Sequence, residues 1–363
     1  MLTILPAIIV LGVLIIVHEF GHFIACRLTR VKVDKFSIGF GPEILHWQGK
    51  ETRYSLSLFP LGGFVKPAGE SIEEVDESGP KPGDYLAAPL KSRMLIVSAG
   101  VVMNYFLALV IFIVLFMTGI PVIGTKIGGF VDGYPAAASG LQAGDEVLQV
   151  NGTEVYSWDG LTEAFQNPAF EDLELVVQRG RETLSLTLAP KVEDVPDMFG
   201  EVHQLRRVGI TPTMEPAGYE RFGFFESVRL AWEKEVFLTV MTYKGIIYLI
   251  MGKLSMKAVG GPLKIMKYSK DAAEEGVSSL LYLIGLLSIS LAVINFFPIP
   301  ALDGGHLVFL LIEGIRRKPV SLHFQERAAQ VGFFLLISLL VFITYHDVLD
   351  FQLVDRIRQM LGR

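Results

Sequence analysis

His18-Glu19-Phe20-Gly21-His22 decides the fold, because it lies inside an apolar run long enough to cross a bilayer. Glu19 is the only charged side chain before Arg27. A charge at the centre of a membrane helix costs at least ~2.5–3.5 kcal/mol, so ionisable residues at that depth usually serve a function. A bound metal ion would offset the cost.

The spacing of the two histidines supports a metal site. Residues four apart lie on one helical face, so His18 and His22 converge while Glu19 lies beside them. Neutral imidazoles suit zinc, and a third protein ligand would leave the fourth position to water. Zinc lowers the pKa of such a water towards ~7, and Glu19 would take its proton as general base. A chance match is the alternative, and the position of the motif inside a span argues against it.

Composition predicts membrane spans together with a water-exposed portion. The chain has 363 residues, 51% of them hydrophobic, and a mean hydropathy of +0.46. A net charge of −6 with no long basic run argues against a nucleic-acid partner. Cys26 is the only cysteine, which excludes an internal disulfide and a Cys-x-x-Cys metal site.

About four transmembrane helices are predicted, in residues 1–28, 94–120, 276–300 and 328–346. A signal peptide is the rival interpretation of the first, but no Lys or Arg precedes His18 to form a positive n-region. A fifth apolar stretch, Val236–Met251, carries Lys244. Because of that charge, we assign it to interfacial or docking helices within residues 216–275 rather than to a true span.

Basic residues in short loops predict the orientation. They cluster in residues 27–35, 91–93 and 316–318. With four spans all three clusters fall on one side, which should be cytoplasmic. Residues 29–93 and 301–327 then lie on that side, whereas residues 121–215 and the tail at 347–363 face outward.

Asp303 is the predicted third ligand. It lies near the end of the run Asn295-Phe296-Phe297-Pro298-Ile299-Pro300-Ala301-Leu302-Asp303-Gly304-Gly305, whose prolines and glycines break the helix. Irregular backbone at membrane depth is tolerated only where it is buried or lines a cavity. Asp303 could instead cap the following helix. His306 is expected to face the site through hydrogen bonds rather than as a ligand. Asn295 would bind a substrate backbone or oxyanion, or only satisfy the broken helix.

The paired motifs resemble those of the site-2 protease family, and most of all its bacterial regulator-of-sigma-E-protease type. Other segments also resemble that family, namely Phe36–Pro42, Pro60–Lys66 and Gly261-Pro262. The resemblance implies Zn²⁺ held by His18, His22 and Asp303, with Glu19 as catalytic acid and base. It further implies intramembrane cleavage of single-span membrane proteins, such as an anti-sigma factor or signal-peptide remnants, after trimming by another protease.

The same resemblance implies a polytopic α-helical protein of the bacterial inner membrane. It would carry a cytoplasmic-side, membrane-associated β region and an inserted extracytoplasmic α+β PDZ domain. Within residues 121–215, Asn151-Gly152 predicts a tight turn, and Leu173–Val177 with Thr183–Leu188 predicts a hairpin. Such a domain would either bind new C-termini or exclude untrimmed substrates by its bulk.

The β region is the expected contact for substrate. An exposed strand in Tyr54–Val65 would pair with an unwound substrate by β-augmentation, because a helical substrate hides its scissile amide; Gly62 and Gly63 are the expected substrate contacts there. The alternative is an ordinary amphipathic strand that covers the membrane face. Two other functions remain: a membrane metal transporter or channel, and a catalytically silent PDZ scaffold. Neither requires Glu19 beside two histidines.

Overall fold

The chain forms two units, one built from its two ends and one from its middle. The computed structural model describes residues 4–71, 79–197, 199–213, 215–254 and 259–351, so the predicted tail lies outside the described residues from 352 onward. The first unit comprises Met1–Leu115 and Ser227–Arg363, and the second comprises Phe116–Glu226.

The described residues contain eight α-helices: α1 (Leu5–Leu28), α2 (Leu90–Thr118), α3 (Trp158–Phe165), α4 (Phe224–Ile250), α5 (Pro262–Glu275), α6 (Val277–Phe296), α7 (Asp303–Arg316) and α8 (Leu322–Asp350). They also contain twelve strands: β1 (Val33–Gln48), β2 (Arg53–Pro67), β3 (Ile120–Ile123), β4 (Ile127–Phe130), β5 (Glu146–Val150), β6 (Thr153–Glu154), β7 (Leu173–Arg179), β8 (Glu182–Leu188), β9 (Lys191–Pro196), β10 (Val202–Arg207), β11 (Ile210–Pro212) and β12 (Pro216–Glu220).

Four helices, α1, α2, α6 and α8, are long and apolar enough to cross a membrane. Even α6, with 20 residues, reaches about 30 Å at 1.5 Å per residue, which matches a hydrocarbon core. Helix α4 is 27 residues long but is not among these four. The reason is its charge: Glu233, Lys234 and Glu235 follow Trp232, and Lys244 lies within the apolar half of the helix.

Strands β1 and β2 fold back on each other to give four antiparallel segments. Phe36 pairs with Tyr54 on one side and Val65 on the other. The resulting order is 43–48, 53–57, 33–38 and 63–67, and 63–67 is an edge segment among the described residues. Gly39 and Gly41 adopt φ values of +88° and +87° where β1 bends, a conformation that glycine takes without steric cost.

The second unit has its own core. A four-stranded sheet in the order β6-β5-β7-β8 packs with α3. The predicted turn at Asn151-Gly152 joins β5 to β6, with φ values of 47° and 77°. The predicted hairpin is β7 with β8. Buried side chains fill the space between sheet and helix: Ile127, Val147, Val150, Leu161, Phe165, Leu173, Leu175 and Val177.

The structure differs from the expected layout after residue 215. Residues 216–275 were assigned to helices, but their first part is the strand β12, which pairs with β3. The pairing partner lies about a hundred residues earlier in the chain, so no local periodicity reports it. The second unit accordingly extends to Glu226 rather than ending at 215.

Candidate metal centre

Helix α1 places His18 and His22 on one face, as their spacing predicts. The two Nε2 atoms are 3.2 Å apart, and the rings meet edge to face with centroids 4.8 Å apart. His18 is buried and His22 is half-buried. Both imidazoles therefore present the same nitrogen to one point in space.

Asp303 meets both imidazoles. Its Oδ2 lies 3.1 Å from His18 Nε2 and 3.5 Å from His22 Nε2. Asp303 is the first residue of α7, whose N-cap is Leu302 and has no side-chain cap bond. The aspartate is thus not the helix cap, and its carboxylate is directed at the histidines. A Cβ at Gly304 or Gly305 would overlap backbone carbonyls of the broken segment, so glycine permits the close turn that delivers Asp303.

The three atoms fit a zinc ion. Ligands at ~2.0–2.1 Å in tetrahedral geometry lie about 3.3–3.4 Å apart, and the three measured separations are 3.1, 3.2 and 3.5 Å. Asp303 Oδ2 is buried and accepts no hydrogen bond. A buried carboxylate oxygen without a donor is costly, and a cation bound between the two imidazoles and this oxygen would remove that cost.

Helix α2 forms the opposite wall of the site. Ile96, Gly100 and Asn104 are spaced four apart, so they line one face of α2 against α1. The backbone oxygen of Ile96 accepts a hydrogen bond from His22 Nδ1 at 2.8 Å. Asn104 Nδ2 lies 3.2 Å from His18 Nδ1. A Cβ at Gly100 would stand 2.7 Å from both Cε1 and Nε2 of His18, so only glycine leaves room for the imidazoles.

Glu19 contacts the edge segment of the β region. Its Oε2 accepts the backbone N–H of Val65 at 3.0 Å. A Cβ at Gly63 would be in ordinary contact with Glu19 Cγ at 3.4 Å but only 2.8 Å from the Ser37 carbonyl oxygen, so glycine permits the close pairing of this segment with 33–38. Gly62, with φ +146°, packs against the ring of Phe40.

The other predicted site residues lie nearby. Asn295 Nδ2 is 3.4 Å from His18 Nε2, which places the amide at the edge of the ligand triangle. His306 lines the adjacent cavity. It is not part of the His18, His22 and Asp303 group whose ligand atoms lie within 4.8 Å of one another.

A cavity of about 900 Å³ connects the metal-ligand group with the loops on the side of α7 and α8. It reaches from Glu19 past Arg93 and Glu313 to Glu326. Arg93 and Glu313 form a two-pronged, largely buried ion pair, with Nη1 to Oε2 at 3.1 Å. Charged side chains therefore line the same cavity as the metal-ligand group.

Sequence reasoning missed the contribution of α2. Asn104 is the only carboxamide in the second apolar run, and a strongly polar side chain at membrane depth is a signal for function. That signal was available. The four-residue spacing of Asn104, Gly100 and Ile96 indicates a shared face of α2, but the sequence does not show that this face packs against α1.

Comparison with known proteins gives consistent matches. A model of peptidase family M50 matches residues 6–339. An inferred zinc metalloprotease of Campylobacter jejuni is 32% identical over 345 residues, covering 95% of this chain and 92% of the relative. Another, of Clostridium perfringens, is 34% identical over 348 residues, covering 94% and 97%. A third, of Nostoc, is 35% identical over 360 residues, covering 94% of each.

One solved structure is also similar in part. It is the PDZ domain of an SdrC-like protein from Listeria monocytogenes, 19% identical, which covers 24% of this chain and 86% of that domain with a TM-score of 0.20. A score so low carries no argument about the second unit.

Proposed function

The chain belongs to peptidase family M50, and on that premise we propose that it cleaves peptide bonds within or beside the transmembrane segments of single-span membrane proteins. The family is zinc-dependent and the relatives are named as zinc metalloproteases, so the chain is a zinc metalloprotease. Four apolar helices and the family match make it a multi-pass membrane protein. The proposal concerns its substrate and the residues that act on it.

The observation that carries this proposal is the convergence of His18, His22 and Asp303 at membrane depth. These residues would hold the zinc ion through two Nε2 atoms and one carboxylate oxygen. When bound, zinc polarises the scissile carbonyl and activates water. Glu19 would take the proton of the attacking water and deliver it to the leaving amine. Asn295, at the edge of the ligand triangle, would donate a hydrogen bond to the substrate carbonyl.

Substrate would bind along the edge segment 63–67. This segment is paired with 33–38 on one side, while Val65 donates to Glu19 on the other. A substrate stretch added at that edge lies in extended form, which exposes the amide that a helix conceals. Gly62 and Gly63 would contact the substrate, because neither has a side chain and Gly63 lies next to Glu19.

The cavity supports a cytoplasmic route for water and product. Its far end is lined by Pro319 and Val320, which follow the basic residues Arg316, Arg317 and Lys318 in the chain. Lys and Arg in short loops favour the cytoplasmic side. We therefore place the protein in the bacterial inner membrane with its active site toward the cytoplasm and the second unit outside.

The second unit would act on substrate selection as a PDZ-like module. Its sheet packs with α3, and a groove of about 530 Å³ lies between α3 and the segment Val208–Ile210. By bulk, such a unit would admit substrates whose outer domains have been trimmed. Capture of a new C-terminus in the groove is the competing role. Filling the groove with a bulky substitution at Thr162, which lines it, separates the two, since only capture would suffer.

The test is Glu19→Gln in the full chain, assayed on a single-span substrate in the native membrane. General-base catalysis contributes typically ~10²–10⁴-fold, so cleavage should fall by at least that factor while bound zinc stays at the wild-type level. Glu274→Gln, the same chemical change at an exposed carboxylate of α5, should cleave normally. Persistent cleavage by Glu19→Gln would rule out the assigned base. Loss of zinc together with cleavage would show that Glu19 serves the metal instead.

A further inference from the structure

The two imidazoles contact α2 through the nitrogens that point away from Asp303, but the two contacts are not equivalent. His22 Nδ1 faces a carbonyl oxygen, that of Ile96, at 2.8 Å. His18 Nδ1 faces an amide nitrogen, Nδ2 of Asn104, at 3.2 Å. Asn104 is fully buried, and its Oδ1 accepts no hydrogen bond. A buried oxygen left in this state is costly.

The chemistry of a metal ligand explains the mismatch. A neutral imidazole carries one N–H, so when Nε2 of His18 binds a metal the proton resides on Nδ1. That N–H would then face the N–H₂ of Asn104, donor against donor. The oxygen and nitrogen of a carboxamide occupy interchangeable positions. Turning the Asn104 amide by half a revolution places Oδ1 opposite Nδ1 and converts the clash into a hydrogen bond.

We propose that Asn104 is a positioning residue for His18: its side-chain oxygen accepts the Nδ1–H and fixes the tautomer that presents Nε2 to zinc. The inference rests on the zinc site of the proposed function. It makes α2 the common support of both histidines, with a backbone oxygen serving His22 and a side-chain oxygen serving His18. Only the second can be removed by substitution.

Packing holds Asn104 at the correct level. Ser288 of α6 donates from Oγ to the backbone oxygen of Asn104 at 2.8 Å, and both residues are fully buried. A Cβ on Gly21 of α1 would fall against backbone of Ala99, so small residues let the two helices approach closely. The hydrogen bond from Ser288 of α6 therefore holds the backbone of Asn104 in place, and the close approach of α1 and α2 lets the Asn104 side chain contact His18 directly.

The test compares two substitutions in the purified full chain, with zinc affinity measured by competition with a chelator. Asn104→Asp keeps an acceptor and should bind zinc within about threefold of the wild type. Asn104→Leu has no acceptor and should bind about 10–100-fold more weakly, the usual effect of losing such a partner. Ser98→Ala, whose hydroxyl donates to Met94 in its own helix, is the matched control in α2 and should not change the affinity.

Asn104→Asp decides the direction of the hydrogen bond. If the asparagine donated to His18, the aspartate would set an acceptor against a bare nitrogen, and affinity would fall as far as in Asn104→Leu. That outcome overturns the proposal, as does wild-type affinity in Asn104→Leu. Should the leucine variant not fold, the aspartate variant is sufficient, provided its metal-free unfolding temperature matches the wild type. A wild type without zinc would refute the proposed function itself.

Discussion

Gly100→Ala is the substitution for which the structure predicts the largest effect from the smallest change. The new methyl carbon would lie 2.7 Å from Cε1 and Nε2 of His18 and even closer to Nε2 of His22. Non-bonded heavy atoms prefer about 3.5–4.0 Å, so the overlap is about 1 Å. Helix α2 or the imidazoles must move by that amount.

Zinc sites tolerate little displacement. Ligand distances in functional sites vary by about ±0.2 Å, and a shift of about 1 Å exceeds that several times. We therefore expect zinc affinity to fall at least 100-fold, which is about 2.8 kcal/mol. Overpacking should lower the unfolding free energy of the metal-free protein by a further ~1–3 kcal/mol.

Zinc content after dialysis and cleavage of a single-span substrate are the two measurements. Gly12→Ala is the control, because Gly12 also lies in a membrane-spanning helix and nothing stands within 4 Å of its added Cβ. It should retain full zinc content. If Gly100→Ala bound zinc within threefold of the wild type, the close packing of α1 on α2 at the site would be incorrect.

Two further predictions concern charges away from the ligands. Removing one partner of the buried pair between Arg93 and Glu313, as in Arg93→Leu, should lower the free energy of unfolding by ~3–5 kcal/mol. Replacing both residues by leucine should recover most of this loss, as measured by chemical unfolding. Equal instability of the single and double variants would contradict the pairing. In the second unit, the hydrogen bonds from Arg179 hold the pKa of Asp145 below its usual value against the opposing effect of burial. This stabilisation is present above the unfolded pKa of ~3.9 and is lost as pH falls through the lower folded pKa. Hydrogen exchange in β5 and β7 of the intact chain should therefore accelerate on acidification below about pH 4. The acceleration should be smaller in Asp145→Asn.

The sequence was sufficient to predict that His18, His22 and Asp303 lie together, because ionisable groups stand out against apolar runs. His18 and His22 are linked by local helical spacing, and Asp303 is the only acid near the end of the third run. The expected position of these residues at similar depth in the membrane then indicated that they could meet, although they are far apart in the sequence. The assignment of roles to these residues stays a prediction.

Features that depend on non-local pairing could not be obtained in this way. The family resemblance implies β structure near Tyr54–Val65, but not that β1 and β2 each bend into two segments and leave 63–67 at the edge. Nor does the pattern show which face of α2 meets α1, so Asn104 remained one polar residue among apolar ones. The hydrogen bond from Val65 to Glu19 could not be predicted either, because predicting it requires both the strand order of the β region and the face of α1 that meets it.

The separation of the ligands along the chain affects how the protein is made. His18 and Asp303 are 303 − 18 = 285 residues apart, and ribosomes add about 5–20 residues per second. The first helix is therefore synthesised about 14–57 s before Asp303. The Ile96 carbonyl and Asn104, which contact the two imidazoles in the folded chain, are also synthesised well before Asp303. On the proposed function, the ligand set is complete only once residue 303 of 363 has been synthesised, so zinc loading and activity are expected only late in synthesis.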